Sequence, residues 1–291
     1  MFEGLSTALI TPFRDGAVDE PALRELVERQ VAAGVDQLVP CGSTGESATL
    51  SHLEHRKVIE TVLSAAHGRI RVLAGTGSNN TREAIELTQH AKTAGADGAL
   101  LISPYYNKPT QEGIYEHYRT IAEQTQFPLV AYNIPGRTGS NIAPSTLARL
   151  ADLPHIVGVK EACGDVAQIA EVVARCPEAF AVLSGDDAMI LPVMAIGGKG
   201  AISTTSNIAP EAVGELVRAC QDNDLARARK LHHQLLPLFD ALFFETNPIP
   251  VKCALELMGL IKSAEVRLPL TPITEANRER LQVALKELGY L

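Results

Sequence analysis

The chain has 291 residues, of which 46% are apolar, and its 26 basic and 34 acidic side chains leave a formal charge of −8. This length suits a single large α/β barrel, and this apolar share suits a protein with a sizeable core. The acidic balance disfavours anionic partners, so we expect the chain to bind neither nucleic acid nor a membrane surface.

Short apolar runs recur along the first two thirds of the chain. Most are rich in Val, Ile and Leu without polar alternation, which is typical of strands buried on both faces. The runs lie at residues 5–11, 36–42, 70–76, 98–104, 128–133, 156–161, 180–185 and 200–204.

The stretches between these runs have the spacing of amphipathic helices. The first follows Asp19, a residue suited to capping a helix N-terminus, and ends at Gly34. A weak repeat, "AAGVDQLV" at 32–39 and "TAGADGALL" at 93–101, passes in both copies from a helix end through a glycine turn into a strand. This alternation predicts an α/β fold, a (β/α)₈ TIM barrel over residues 1–224.

Residues 225–291 contain only helical patterns, near 225–236, 249–258 and 274–288, and predict a C-terminal helical region. The other fold open to the sequence is an open doubly wound sheet, which would place a G-x-G-x-x-G motif after an early strand. The nearest match, "GTGSNN" at 75–80, lacks the third glycine. The barrel is therefore favoured.

Reactive groups of such a barrel lie at the carboxyl ends of its strands. Among the lysines of the chain, only Lys160 closes a wholly apolar run, "HIVGVK". A period of two places Lys160 on the barrel side of the strand and both Val157 and Val159 on the helix side. A lysine in the barrel mouth loses solvation, so its pKa falls and its neutral amine becomes a Schiff-base nucleophile. The other interpretation is a buried ion pair with Asp186 or Asp187.

Two more strand ends carry polar groups. Tyr132 ends its run on the face opposite Ala131, and a tyrosine near an imine carbon can shuttle a proton. The turn "GSTG" at 42–45 offers backbone N–H groups and hydroxyls at a helix start, which suits a carboxylate. Each also has a simpler interpretation: Tyr132 as an aromatic residue of the core, and the turn as a helix N-cap.

Several familiar motifs are missing. The sequence has no H-E-x-x-H, G-x-S-x-G or Walker-type G-K-[ST], and its histidines do not cluster at strand ends, so we expect neither a metal nor a cofactor. Five scattered cysteines without a C-x-x-C pair indicate a reducing compartment. With no signal-peptide pattern and no apolar run of roughly 18 residues, the sequence predicts a cytoplasmic protein.

A set of segments spread over essentially the whole chain resembles, in order and spacing, the dihydrodipicolinate synthase family. The segments are "GSTGES" (42–47), "PYYNKP" (104–109), "YNIPGRTG" (132–139), "VKEACGD" (159–165), "SGDD" (184–187) and "NPIPVK" (247–252). The wider superfamily also contains N-acetylneuraminate lyase and 2-keto-3-deoxy sugar-acid aldolases, all barrels that form a pyruvate Schiff base. The arginine of "NIPGRTG" and the "YYN" segment indicate the synthase branch.

The resemblance implies a class I aldolase-type enzyme of lysine (diaminopimelate) biosynthesis. Such an enzyme condenses pyruvate with L-aspartate-4-semialdehyde and gives 4-hydroxy-tetrahydrodipicolinate. Lys160 would form the Schiff base, and Tyr132 would donate and accept the proton, in a relay with Ser43 and Tyr106. The residues implied around pyruvate are Thr44, at its carboxylate, and Gly185 and Ile202.

The same resemblance makes Arg137 a clamp for the carboxylate of the semialdehyde. A planar fork of donors suits a carboxylate in a way that lysine does not. The alternative is a surface arginine that caps a loop carbonyl.

Family members form tetramers, dimers of dimers, in which the counterpart of Tyr106 crosses the tight dimer interface, so a homotetramer is expected here. L-lysine inhibits the Gram-negative synthases by feedback, and the resemblance extends to the residues of that site. They are Ser47, Ala48, His52, His55, Asn79, Glu83 and Tyr105, from which we expect inhibition by L-lysine at the dimer interface.

Two positions depart from the family pattern. Ser43 stands where synthases more often have threonine and lyases also carry serine, and Cys163 stands where Ser or Thr is more frequent. One alternative is therefore a pyruvate-forming lyase or aldolase that acts on N-acetylneuraminate or 2-keto-3-deoxy sugar acids. Another is a barrel that binds metabolites without catalysis, which is disfavoured because every polar group that the mechanism needs is present.

Overall fold

The computed structural model describes residues 2–291. A short hairpin of two strands follows the first strand of a closed barrel of parallel strands, and this first strand pairs with both the next and the last strand of the barrel. The strands are β1 (Gly4–Ala8), β2 (Phe13–Arg14), β3 (Ala17–Val18), β4 (Gln37–Val39), β5 (Arg71–Gly75), β6 (Gly98–Ile102), β7 (Leu129–Asn133), β8 (Ile156–Glu161), β9 (Ala181–Ser184) and β10 (Gly200–Ser203). The predicted (β/α)₈ barrel is confirmed.

Each barrel strand separates two apolar layers, as the runs without polar alternation predicted. On β7, Leu129 and Ala131 pack against the helices. Val130 and Tyr132 pack into the barrel interior. Every predicted run overlaps one strand, and the ends differ because the apolar chain continues into buried loops, such as Ile10 after β1.

Several helices begin at residues whose side chains cap them. The Asp19 carboxylate accepts a hydrogen bond from the backbone N–H of Ala22 at 3.2 Å, and Ser51 forms a reciprocal capping box with Glu54. The helices are α1 (Glu20–Ala32), α2 (His52–Ala66), α3 (Thr81–Ala94), α4 (Gln111–Thr125), α5 (Pro135–Thr138), α6 (Pro144–Ala151), α7 (Val166–Arg175), α8 (Ile190–Ala195), α9 (Pro210–Gln221), α10 (Leu225–Ala241), α11 (Ile249–Leu257) and α12 (Glu275–Glu287).

Strand β8 contains an irregularity that a strict period of two does not predict. Its pairing with β7 passes from Ile156 directly to Gly158, so Val157 is an extra residue, as in a β-bulge. Val157 packs against the interior cluster, and its predicted position on the helix side is wrong. Val159 packs on the helix side as predicted, and the alternation resumes in time for Lys160 to point inward.

The C-terminal helical patterns are confirmed as α10, α11 and α12. The first was predicted to stop at residue 236, which is wrong, because α10 continues through Pro237 to bury Leu238 and Phe239. Leu285 of α12 belongs to the same buried cluster as the outer layer of the barrel. The division of the chain after residue 224 stays a prediction. Within residues 2–291, no helix is both long and apolar enough to cross a bilayer.

Candidate active site

Lys160 is the penultimate residue of β8, with its side chain in the barrel mouth, where only 6% of the residue is exposed. Its Nζ atom lies 4.3 Å from the centre of the Tyr132 ring. Burial lowers the pKa of Lys160 to about 8, with the Asp187 carboxylate opposing the shift and Arg137 adding to it. A substantial neutral fraction near neutral pH is what a lysine nucleophile requires.

The buried ion pair considered for Lys160 is not found among the described residues. Asp187 is buried, but its carboxylate accepts hydrogen bonds from the Thr204 and Thr205 N–H groups and from the Thr205 hydroxyl, at 3.2, 2.8 and 2.7 Å. Asp186 caps the short helical turn after β9 by accepting a bond from the Ala188 N–H. Lys160 is therefore stabilised at a distance by Asp187 without being tied to it.

One of the residues expected around bound pyruvate lies next to Lys160. Gly185 packs so closely that a Cβ atom there would lie 2.9 Å from Lys160 Cε, so a larger residue would displace the lysine. Ile202 is buried in the interior cluster on β10. The contacts that these residues make with a keto acid stay predictions.

Tyr132 lies in register with Lys160 on the neighbouring strand and is 5% exposed. Burial raises the pKa of its hydroxyl to about 12, while Arg137 and then a hydrogen bond with the Ser43 side chain oppose the shift. The protonated phenol therefore prevails at neutral pH, which suits a group that first donates a proton.

The turn that carries Ser43 and Thr44 is closed by its own backbone. The Gly45 N–H donates to the Gly42 carbonyl at 3.1 Å, and the Glu46 N–H donates to the Ser43 carbonyl at 3.2 Å. Its predicted place at a helix start is wrong for an α-helix, because a 3₁₀ turn (Ser47–Thr49) follows and α2 begins only at His52. The hydroxyls are thus presented by a tight turn at the mouth.

Asn247, which precedes α11, connects two of the predicted substrate-binding residues. Its side-chain amide donates to the Thr44 hydroxyl at 2.9 Å, and its backbone carbonyl accepts a bond from Arg137 at 3.2 Å. Asn247 Oδ1 is buried without a hydrogen-bond partner among the described residues. The role of Asn247 in the segment "NPIPVK" could not be predicted, because nothing local connects it to residues more than 100 positions away.

Arg137 lies on the short helix α5 and is exposed. It lines a cavity of about 410 Å³ together with Ser43, Tyr132 and Asn247. Its guanidinium does cap a loop carbonyl, that of Asn247, so this part of the simpler interpretation is correct. The bond occupies one nitrogen of a group with five N–H donors, and the others remain for a ligand.

Tyr106 does not join the other relay residues within this chain. It is 89% exposed, with a positive φ of 71°. Among the described residues, Tyr105 lines the cavity and Tyr106 does not. Its predicted place across a dimer interface is compatible with this position but stays a prediction.

Most of the residues expected to bind L-lysine line the same cavity. His52 Nε2 contacts Glu83 Oε1 at 2.8 Å, and Glu83 also accepts a bond from Ser78, which with His52 lowers the pKa of the carboxyl. His55 is buried, with Nε2 at 2.8 Å from the Gly75 carbonyl, and burial lowers its pKa to about 4. The residues of this set that line the cavity are Ser47, Ala48, His52, His55, Glu83 and Tyr105. Asn79 is not part of the described lining, and its side-chain amide donates to the Tyr105 carbonyl at 3.1 Å.

A buried lysine that ends a strand of a parallel barrel, with a tyrosine against it and a hydroxyl-bearing turn nearby, defines the class of Schiff-base-forming barrel enzymes. The model of the Dihydrodipicolinate synthetase family matches residues 1–288. The chain belongs to this family.

Individual relatives agree over their full length. A 4-hydroxy-tetrahydrodipicolinate synthase of Nitratidesulfovibrio vulgaris (strain DP4) is 56% identical over 291 residues, which are 100% of this chain and 99% of that protein. The chloride-inhibited dihydrodipicolinate synthase of Acinetobacter baumannii, solved with pyruvate, is 47% identical with a TM-score of 0.98 over 100% of both chains. The lysine-bound synthase of Cyanidioschyzon merolae is 40% identical with a TM-score of 0.97, over 100% of this chain and 99% of that one.

Proposed function

We propose that the chain catalyses the condensation of pyruvate with L-aspartate-4-semialdehyde to 4-hydroxy-tetrahydrodipicolinate, through a Schiff base on Lys160. The observation that carries this proposal is a lysine buried at a strand end, with a pKa of about 8 and no ion pair with a carboxylate of the described residues. The full-length likeness to synthases supports this reaction over the lyase and aldolase alternatives.

In this reaction the neutral amine of Lys160 attacks C2 of pyruvate, and loss of water gives the imine. Removal of a proton from C3 gives the enamine, whose C3 attacks the aldehyde carbon of the semialdehyde. The amino group of the product then attacks C2, closes the ring and releases the lysine. Tyr132, whose ring lies against the Lys160 amine and whose hydroxyl shares a hydrogen bond with the Ser43 side chain, is the group that would donate and accept protons in these steps.

The two carboxylates have separate partners in this proposal. Thr44 and the backbone of its turn would hold the carboxylate of pyruvate, and Arg137 the carboxylate of the semialdehyde. What supports this division is that both residues bond to Asn247, and that Arg137 lines one cavity with Tyr132 and with Ser43, the neighbour of Thr44.

We also propose a homotetramer in which Tyr106 enters the relay of a neighbouring subunit. Its exposure of 89% supports this assignment, because a tyrosine with this role has to leave its own chain. Five cysteines without a disulfide support the expected cytoplasmic location.

L-lysine is the proposed feedback inhibitor. Glu83 supplies a carboxylate for an ammonium group, and the buried His55 presents an Nδ1 atom without a partner among the described residues. The lysine-bound relative of similar fold supports this assignment.

The test of the reaction combines a coupled assay with covalent trapping. Pyruvate plus the semialdehyde should be turned over, and N-acetylneuraminate should not be cleaved. Pyruvate with borohydride should label Lys160. Lys252 is the matched control, because it is a second buried lysine with a pKa of about 8, yet it is held by Glu46 at 2.5 Å. A label on Lys252, or cleavage of N-acetylneuraminate without condensation, would contradict the proposal.

A further inference from the structure

The most deeply buried ion pair of the described residues lies outside the groups that touch the substrates. Lys252 on α11 contacts Glu46 Oε1 at 2.5 Å, and the two side chains are 0% and 1% exposed. The ammonium also donates to the Glu265 carbonyl at 2.7 Å and lies 4.0 Å from the centre of the Phe13 ring. Because desolvation offsets much of the attraction within a buried pair, stability alone explains it poorly.

Glu46 is the last residue of the turn that carries Ser43 and Thr44. Its positive φ of 52° is unfavourable for a residue with a side chain, so something must hold it there. Its backbone N–H closes the turn on the Ser43 carbonyl, and its carbonyl accepts a bond from the Thr49 N–H at 3.0 Å. The conformation of the turn is thus tied to the position of Glu46.

The side chain of Glu46 is fixed by the C-terminal segment on both oxygens. Oε1 binds Lys252, and Oε2 accepts a bond from the Arg267 backbone N–H at 3.1 Å. The same segment reaches the turn a second time, through the bond from Asn247 to the Thr44 hydroxyl. The turn is therefore held at Thr44 and at Glu46 by one stretch of chain.

We propose that Glu46 and Lys252 are positioning residues that set the Ser43–Thr44 turn for the pyruvate carboxylate, a role that rests on the proposed function. We assign neither residue a contact with substrate, since the ammonium of Lys252 and both carboxylate oxygens of Glu46 bond within the protein. Their ion pair fixes the turn backbone, and a carboxylate bound by a turn loses affinity when the donors of that turn move. Breaking the pair should therefore weaken pyruvate binding more than its effect on folding explains.

The test uses the pyruvate concentration that gives half-maximal trapping by borohydride. This readout needs no semialdehyde, so it stays informative if the second substrate is a different aldehyde. If pyruvate and borohydride do not label the wild type, both the proposed reaction and the positioning role are refuted. Lys252→Met should raise this concentration roughly tenfold or more, because donors that have moved with the turn no longer fit the pyruvate carboxylate. It should also lower Tm, because Glu46 is left buried without its partner.

The double variant Glu46→Gln/Lys252→Met separates positioning from stability. It removes both charges and should recover most of the Tm, but the pyruvate concentration should stay raised because the turn is no longer fixed. Arg278→Met is the matched control, since it breaks another ion pair of the C-terminal region, with Glu256 at 2.9 Å, away from the turn. If the double variant binds pyruvate as wild type does, or if Arg278→Met raises the concentration equally, the pair has no positioning role.

Discussion

Lys160 and Lys252 are both buried, and burial lowers the pKa of each to about 8, yet their surroundings assign them different roles. Lys252 has Glu46 in contact, which favours its charged form. Lys160 has a tyrosine ring against it and Asp187 only at a distance. A low pKa alone therefore does not identify the nucleophile, and the contacts decide.

The pH dependence of imine formation should follow the Lys160 amine. At a pKa of about 8, half of the side chains are neutral at pH 8, against roughly 0.4% for an ordinary lysine. The rate of trapping by pyruvate and excess cyanoborohydride should rise through about pH 8 and level off by about pH 9.5. A rate that is still rising steeply at pH 10 would contradict the assignment.

Arg137→Ala should damage the two substrates unequally. The KM for the semialdehyde should rise roughly tenfold or more, because a charge-assisted hydrogen bond to its carboxylate is lost. Trapping by pyruvate should persist, with its pH midpoint shifted upward, because the nearby cation that depresses the pKa of Lys160 is gone. Arg137→Lys keeps the charge without the planar fork, so its KM for the semialdehyde should lie between those of wild type and Arg137→Ala. Equal loss of trapping and turnover would refute the clamp.

At the scale of elements, the strand ends could be predicted and their deviations could not. Lys160 was recognisable because it closes an apolar run, a local signal. The bulge at Val157 depends on how β8 packs beside β7, and no residue in the run reports it. The same holds for Asn247 and for the pairing of Glu46 with Lys252, which connect segments separated by some 200 positions and need the folded barrel to meet.

The junction of β7 and β8 contains a buried carboxyl that predicts a pH-dependent stability. Glu161 accepts bonds at Oε1 from the Asn133 amide and the Cys163 N–H, whereas Oε2 has no partner among the described residues. Burial raises its pKa to about 7. The pKa of Glu161 is thus higher in the folded chain than in the unfolded chain, where it is near 4.5. The stabilising contribution of Glu161 is therefore complete below about pH 4.5 and is lost as the pH rises through about 7.

Glu161→Gln should remove this pH dependence, because an amide keeps the acceptor and cannot ionise. Wild type should lose stability between about pH 5 and pH 8, by an amount of the order of 3 kcal/mol, and the variant should not. Thermal unfolding across this range measures it, with Glu178→Gln at an exposed position as the control. Parallel slopes in wild type and Glu161→Gln would show that Glu161 does not titrate there.

At the scale of the whole molecule, Ser43 and Tyr132 line the same cavity as most of the residues proposed for L-lysine. L-lysine should therefore inhibit wild type, and Glu83→Gln should raise the half-inhibitory concentration roughly tenfold or more by removing the carboxylate for the ammonium. Glu86→Gln is the control, since Glu86 lies on the same helix but pairs with Arg82 at the surface. Full activity of wild type at high lysine, or equal effects of both variants, would contradict the proposed site.

The position of Tyr106 makes the assembly itself testable. Tyr106 is 89% exposed, and Tyr105, not Tyr106, lines the cavity of its own chain. Tyr106 can therefore enter a relay only in another copy of the chain. Lys160→Ala removes the nucleophile, and Tyr106→Phe removes the hydroxyl that we assign to the neighbour, so each variant alone should be nearly inactive.

In a mixed dimer, the subunit with Phe at 106 keeps Lys160 and receives an intact Tyr106 from its partner. Doubly tagged mixed oligomers, isolated after co-expression, should therefore recover about half of the wild-type activity, because one of the two sites in each isologous dimer is complete. If Tyr106 served its own chain, no site in the mixture would be complete, and the mixed oligomers would be no more active than their parents.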